Sequence, residues 1–83
     1  MRKIIERNYK SIVKRGLINH STTLNDFIDK LKEEVTEFEH HYSDENFKEE
    51  LSDIILVCLN IAEHYKINIE SEIVKKIIIN ESR

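Results

Sequence analysis

The chain has 83 residues, 35% of them charged and 40% hydrophobic, and a formal net charge of −3. This length suits one domain over residues 1–83, with a core that encloses only about 60% of the surface its unfolded form exposes, so a partner subunit is expected to help. The balance excludes a disordered chain, no apolar run is long enough to cross a bilayer, and the charge disfavours nucleic acid, whose binders present a basic face. The opening residues, Met1-Arg2-Lys3-Ile4-Ile5-Glu6, lack the long apolar stretch of a secretory signal, and a cytoplasmic location is expected. The single cysteine, Cys58, sits between Val57 and Leu59 and reads as a buried thiol.

With no proline and one glycine, helix ends must be read from caps and breaks in the hydrophobic period. The first helix is expected over about residues 2–15, with Ile4, Ile5, Ile12 and Val13 apolar and Gly16 as its stop. After a loop over 17–22, Thr23 and Asp26 form a capping box in which Asp replaces the usual Glu or Gln. The second helix then runs over about 24–42 on a stripe of Leu24, Phe27 or Ile28, Leu31, Val35, Phe38 and Tyr42. Ser43 caps a third helix over about 44–65, with Asp44 and Glu45 in its first turn and a stripe of Phe47, Leu51, Ile54, Cys58, Ile61 and Tyr65. Asn68 caps the fourth, over about 69–81, whose Ile69, Ile73, Val74, Ile77 and Ile78 supply a buried face. Short loops make sequential helices antiparallel neighbours, so the expected fold is all-α, an up-down four-helix bundle.

Two acidic pairs carry chemistry. Glu34 and Glu37 on the second helix, and Glu50 and Asp53 on the third, are each three residues apart and flank the apolar stripe in the same way. In an antiparallel hairpin, residues at one height have numbers with a roughly constant sum. Glu37 with Glu50 and Glu34 with Asp53 both give 87, so four carboxylates fall on two adjacent levels. Convergent carboxylates repel unless a cation neutralises them, and an all-oxygen set favours Mg²⁺ or Mn²⁺ over zinc. Glu39 and Glu49 lie elsewhere and suit a solvated face.

Lys76, Asn80 and Arg83 share a face of the last helix, where two cations and an amide can clamp phosphate oxygens or simply complement the helix dipole. His20, His40, His41 and His64 have no zinc-site spacing, although His41 follows Glu37 by four. Phe27, Phe38 and Phe47 lie on the stripes as core, and Tyr9, Tyr42 and Tyr65 pack at helix ends or stack on a base.

The runs Lys30-Leu31-Lys32-Glu33-Glu34-Val35-Thr36-Glu37-Phe38, Glu49-Glu50-Leu51-Ser52-Asp53-Ile54-Ile55-Leu56 and Lys76 to Arg83 resemble the all-α nucleoside triphosphate pyrophosphohydrolases of MazG type. The resemblance covers about residues 24–83. It implies Mg²⁺-dependent hydrolysis of a nucleoside triphosphate between the α and β phosphates, giving a monophosphate and pyrophosphate. It makes Glu34, Glu37, Glu50 and Asp53 the Mg²⁺ ligands, and puts Lys76, Asn80 and Arg83 on the phosphates. Glu33 would orient the attacking water, and Asn19, His20 and Thr23 are candidates to read the base. It also implies a homodimer or homotetramer. The competing reading of the same residues is a noncatalytic helical oligomerisation or nucleotide-binding module.

Overall fold

The computed structural model describes residues 1–83 as four α-helices without a strand: α1 (Arg2–Lys14), α2 (Leu24–Glu39), α3 (Asp44–His64) and α4 (Ile69–Glu81). All four begin where the sequence predicts. Thr23 Oγ1 accepts from the Asp26 amide at 3.2 Å while the Asp26 carboxylate accepts from the Thr23 amide at 2.9 Å, closing the capping box. The Thr23 amide thereby holds the Asp26 carboxyl below its ordinary range. Ser43 Oγ accepts from the Asn46 amide at 3.0 Å and Asn68 Oδ1 from the Ser71 amide at 3.2 Å, capping α3 and α4. Gly16, at φ 76°, stops α1: its amide reaches Val13 O and the Leu17 amide reaches Ile12 O. This pairing requires a left-handed residue that glycine adopts without strain.

The second helix ends at Glu39, short of the expected Tyr42. The carbonyls of its last turn are taken by side chains: the Nδ1 groups of His40 and His41 lie 2.8 Å from Thr36 O and 3.0 Å from Phe38 O. The Tyr42 amide turns forward to Asn46 Oδ1 at 3.3 Å, and its ring is left exposed. Side-chain bonds of this kind compete with helix continuation.

The topology differs from an up-down bundle. Helices α2 and α3 form the expected antiparallel hairpin, with Phe38 against Phe47 near the turn and Phe27 against His64 at the far end, at ring separations of 4.8 and 4.9 Å. Helix α1 also runs roughly antiparallel to α3, because Arg2 at its start bonds Glu63 and Asn8 further along bonds Asn60, and Ile12 and Arg15 share one cleft lining with Asp53 and Leu56. The first two helices are therefore parallel to each other, one on each side of a groove floored by α3. The connection over residues 15–23 runs back along the groove. Nine residues can span roughly 30 Å extended, ample for the return, and buried Ile18 pins the segment down.

The core is thin. Ile5, Ile18, Phe27, Val57, Leu59 and Ala62 are its buried apolar residues, and no side chain is fully enclosed. The stripe expected on α3 is only partly turned inward: Ile54 and Ile61 are half-buried, while Phe47, Leu51 and Tyr65 are exposed, as is Cys58, which is no buried thiol. The line turned inward is instead Asn46, Glu50, Val57 and Asn60, three of the four polar. On α2, likewise, Val35 is exposed and Glu34 buried. Helix α4 departs furthest from expectation. Its foot lies near the chain start, with Glu70 4.0 Å from the Met1 amino group, but it packs against none of the other helices along its length. Ile73, Val74, Ile77 and Ile78, expected to be buried, are 40% to 61% exposed. Helix propensity and caps set where α4 forms, but its apolar face has nothing within this chain to cover it. No helix is long and apolar enough to cross a membrane.

Candidate metal centre

Glu34 on α2 and Glu50 and Asp53 on α3 each offer a carboxylate oxygen, and these oxygens all lie within 4.8 Å of one another. Glu34 is buried, at 6% exposure, although glutamate is rarely enclosed without a partner. One of its oxygens is 3.0 Å from Lys30 Nζ, whereas Oε2 is buried with no hydrogen-bond partner. Glu50 repeats the pattern: Asn46 Nδ2 donates to its Oε1 at 3.2 Å, and its Oε2 is also buried and unpartnered. A buried carboxylate oxygen without a donor is costly. Two of them in one cluster point to a cation.

The donor set fits a hard divalent ion. Octahedral Mg²⁺ binds oxygen at about 2.1 Å, so opposing ligands stand about 4.2 Å apart, and small side-chain turns close the observed spread. Electrostatics agree. The Asp53 carboxyl is pushed above its ordinary range, first by its partial burial and then by the charges of Glu34 and Glu50. Glu37, one turn along α2, lies outside the group of three but close enough to feel it, and its carboxyl is raised chiefly by the Glu34 charge. The hairpin thus brings Glu34, Glu50 and Asp53 together, and Glu37, expected level with Glu50, stands exposed at the rim beside Glu34 and Glu50.

Glu34 and Asp53 stand at one end of the groove between α1 and α2, a cleft of about 490 Å³, within the range of small-molecule sites. Asn8, Thr22, Phe27 and Asn60 also line it, together with a third acid, Asp26, and Arg15 and Lys30 are its cations. Asn8 Nδ2 donates to Asn60 Oδ1 at 2.7 Å, which fixes two amides in the lining. Behind Thr22 of the lining, His64 Nε2 lies 3.1 Å from Thr22 O, and Tyr9 Oη lies 2.8 Å from His64 Nδ1. A carbonyl only accepts, so Nε2 carries the proton and Nδ1 accepts from the tyrosine. This relay ties α1, the connecting loop and α3 together.

The other sequence candidates fall as follows. Glu33 is exposed and 3.6 Å from Lys30 Nζ, beside the cluster rather than in it. Lys76 and Asn80 lie on α4, whereas Arg83 falls beyond the helix end at Glu81 and so does not share its face; all three are exposed and outside the cleft lining. Asn19 Oδ1 accepts from the Ser21 amide at 2.8 Å, Thr23 serves the cap, and neither they nor His20 line the cleft. His41 meets Phe47 edge-on at a ring separation of 5.0 Å and is not in the group of clustered acids. Asn8, Arg15, Lys30, Asn46 and Asn60 were missed. For Lys30 and Asn46 a signal exists, since each precedes a cluster glutamate by four residues, the spacing at which side chains meet on a helix. Asn8, Arg15 and Asn60 depend on the direction of α1, which no local pattern encodes. No protein-family model matches the chain, and no curated protein or solved structure matches it either.

Proposed function

We propose that the chain is a Mg²⁺-dependent hydrolase that cleaves a nucleoside triphosphate between the α and β phosphates. The observation that carries this reading is the group of Glu34, Glu50 and Asp53, with two buried oxygens that lack donors, of which Glu34 and Asp53 line a cleft of about 490 Å³. Its resemblance to MazG-type signatures supports the choice of substrate. In this reading Glu34, Glu50 and Asp53 hold the ion, and Glu37 at the rim completes the set of four. A divalent ion there supplies positive charge for phosphate oxygens and acidity for water. Water adds across the anhydride, and the leaving pyrophosphate keeps the bridging oxygen.

The chain's own residues do the positioning. The phosphates lie at the carboxylate end, and the base lies toward Phe27 and the Asn8–Asn60 amides, which offer both donors and acceptors. Asn46 positions Glu50 through its amide. Glu33, adjacent to Glu34 along the chain, is the group assigned to orient water. A second copy of the chain covers the bare face of α4, and Lys76 and Asn80, which border that face, with Arg83 just beyond the helix end, then serve phosphates across the interface.

Incubation with Mg²⁺ and a panel of ribo- and deoxynucleoside triphosphates, with products identified, is expected to yield monophosphate and pyrophosphate in equal amounts. Absence of turnover on every member, or release of orthophosphate alone, contradicts the proposal. The exposed isoleucines of α4 also favour a second reading, a noncatalytic oligomerisation module. That reading requires self-association without saturable metal binding.

A further inference from the structure

Lys30 is the one cation that reaches the cluster. Its Nζ is 3.0 Å from Glu34 Oε1 and 3.6 Å from Glu33 Oε1, and its side chain lines the cleft with Asp53. Without Lys30, Glu34 would be a buried carboxylate facing two more acids with no protein counter-charge. One positive charge against three negative ones is an incomplete neutralisation, and both unpartnered oxygens persist beside it. A divalent ion bridging those carboxylates competes with the ammonium for Glu34. Lysine suits this exchange, being a compact charge on a flexible stem with three donors and no fixed geometry to lose. Released from Glu34, the ammonium has the cleft to turn into, where Arg15 is the other cation. Lys76, Asn80 and Arg83 lie outside the cleft, so Lys30 and Arg15 are the only cations in its lining.

We propose that Lys30 holds the cation place of the carboxylate cluster in the ion-free protein and passes to the triphosphate tail of a bound nucleotide when a divalent ion takes Glu34. The proposal rests on the metal-centre reading above and adds a residue that acts on both ligands with opposite sign.

The test is calorimetric titration of wild type, Lys30→Gln and Lys30→Arg, first with Mn²⁺ alone and then with a nonhydrolysable triphosphate analogue at saturating Mn²⁺. Circular dichroism confirms the helicity of each. Lys30→Gln is expected to bind Mn²⁺ about fivefold tighter, the effect of removing one competing charge pair, and the analogue about tenfold more weakly, the loss of a charge-assisted bond. Lys30→Arg should stay near wild type in both. A purely structural role for Lys30 would weaken both ligands together. Unchanged or weaker Mn²⁺ binding by Lys30→Gln, or undiminished analogue binding, overturns the exchange while leaving a Mn²⁺-binding, active wild type as proposed. If neither wild type nor Lys30→Gln binds Mn²⁺, both proposals fall. If the exchange is seen but no triphosphate is hydrolysed, only the enzymatic reading falls.

Discussion

The two sides of α3 have opposite characters. Facing α1 and α2 it sets Asn46, Glu50, Asp53 and Asn60 among the core residues Val57, Leu59 and Ala62, and facing away it carries Leu51, Ile55 and Cys58, left in solvent as are the isoleucines of α4. A helix in a monomer normally keeps polar groups out of its packed face and apolar ones out of solvent. Burial of carboxylates and amides is unfavourable for folding on its own, so under the proposed function the inward face serves a ligand and the outward one a second copy of the chain. On that proposal the contrast separates two tasks, with the cleft inside one chain and the cohesion of an assembly outside it.

The largest expected effect lies on the inward face. Asp53→Asn or Glu50→Gln should lower kcat about 10²–10³-fold, as loss of one charged group at a reacting centre does, with helicity retained. A rate within a few-fold of wild type would remove those residues from the site. On the outward face, Ile73→Ser combined with Ile77→Ser should shift sedimentation toward the monomer. It should also abolish the rise of melting temperature with protein concentration that mass action gives an oligomer. A wild type that is monomeric and melts independently of concentration would break the comparison there.

These two faces also mark how far sequence carries. The Thr23, Ser43 and Asn68 caps are local hydrogen bonds, so helix starts were readable to the residue. The sum that pairs Glu34 with Asp53 needed only the hairpin, and the structure brings both together with Glu50. The direction of α1 was not readable, because loop length permits either a neighbouring turn or a return along the groove, and the Asn8–Asn60 pair was hidden with it. Apolar periodicity on α3 is present, but much of it marks a side left exposed rather than the side packed in this chain. Periodicity tells which residues share a face, not what covers it.

Smaller effects sharpen the polar side. Asn8→Ala removes the partner of an amide that is 7% exposed and should cost about 1–3 kcal/mol. This is a fall of several degrees in melting temperature at this size; an unchanged value would mean that water replaces the bond without loss. Acidification should have the mildest effect. Asp53 and Glu37 are raised in the folded chain, so between the ordinary carboxylate range and their raised values the folded state holds more protons than the unfolded. Their contribution to stability therefore improves as pH falls through that window and worsens as it rises. With metal chelated, wild type should accordingly gain on Asp53→Asn during acidification in thermal unfolding, and saturating Mn²⁺ should flatten the trend. A gap between the two proteins that does not change with pH would show that repulsion in the cluster is negligible.

Calorimetric titration of the chelator-treated protein with Mn²⁺ tests the central claim most directly, because every chemical role above depends on the carboxylates forming one cation site. The account predicts saturable binding that Asp53→Asn and Glu50→Gln each abolish or weaken at least tenfold. No saturable heat in wild type, or binding that both variants retain in full, would contradict it.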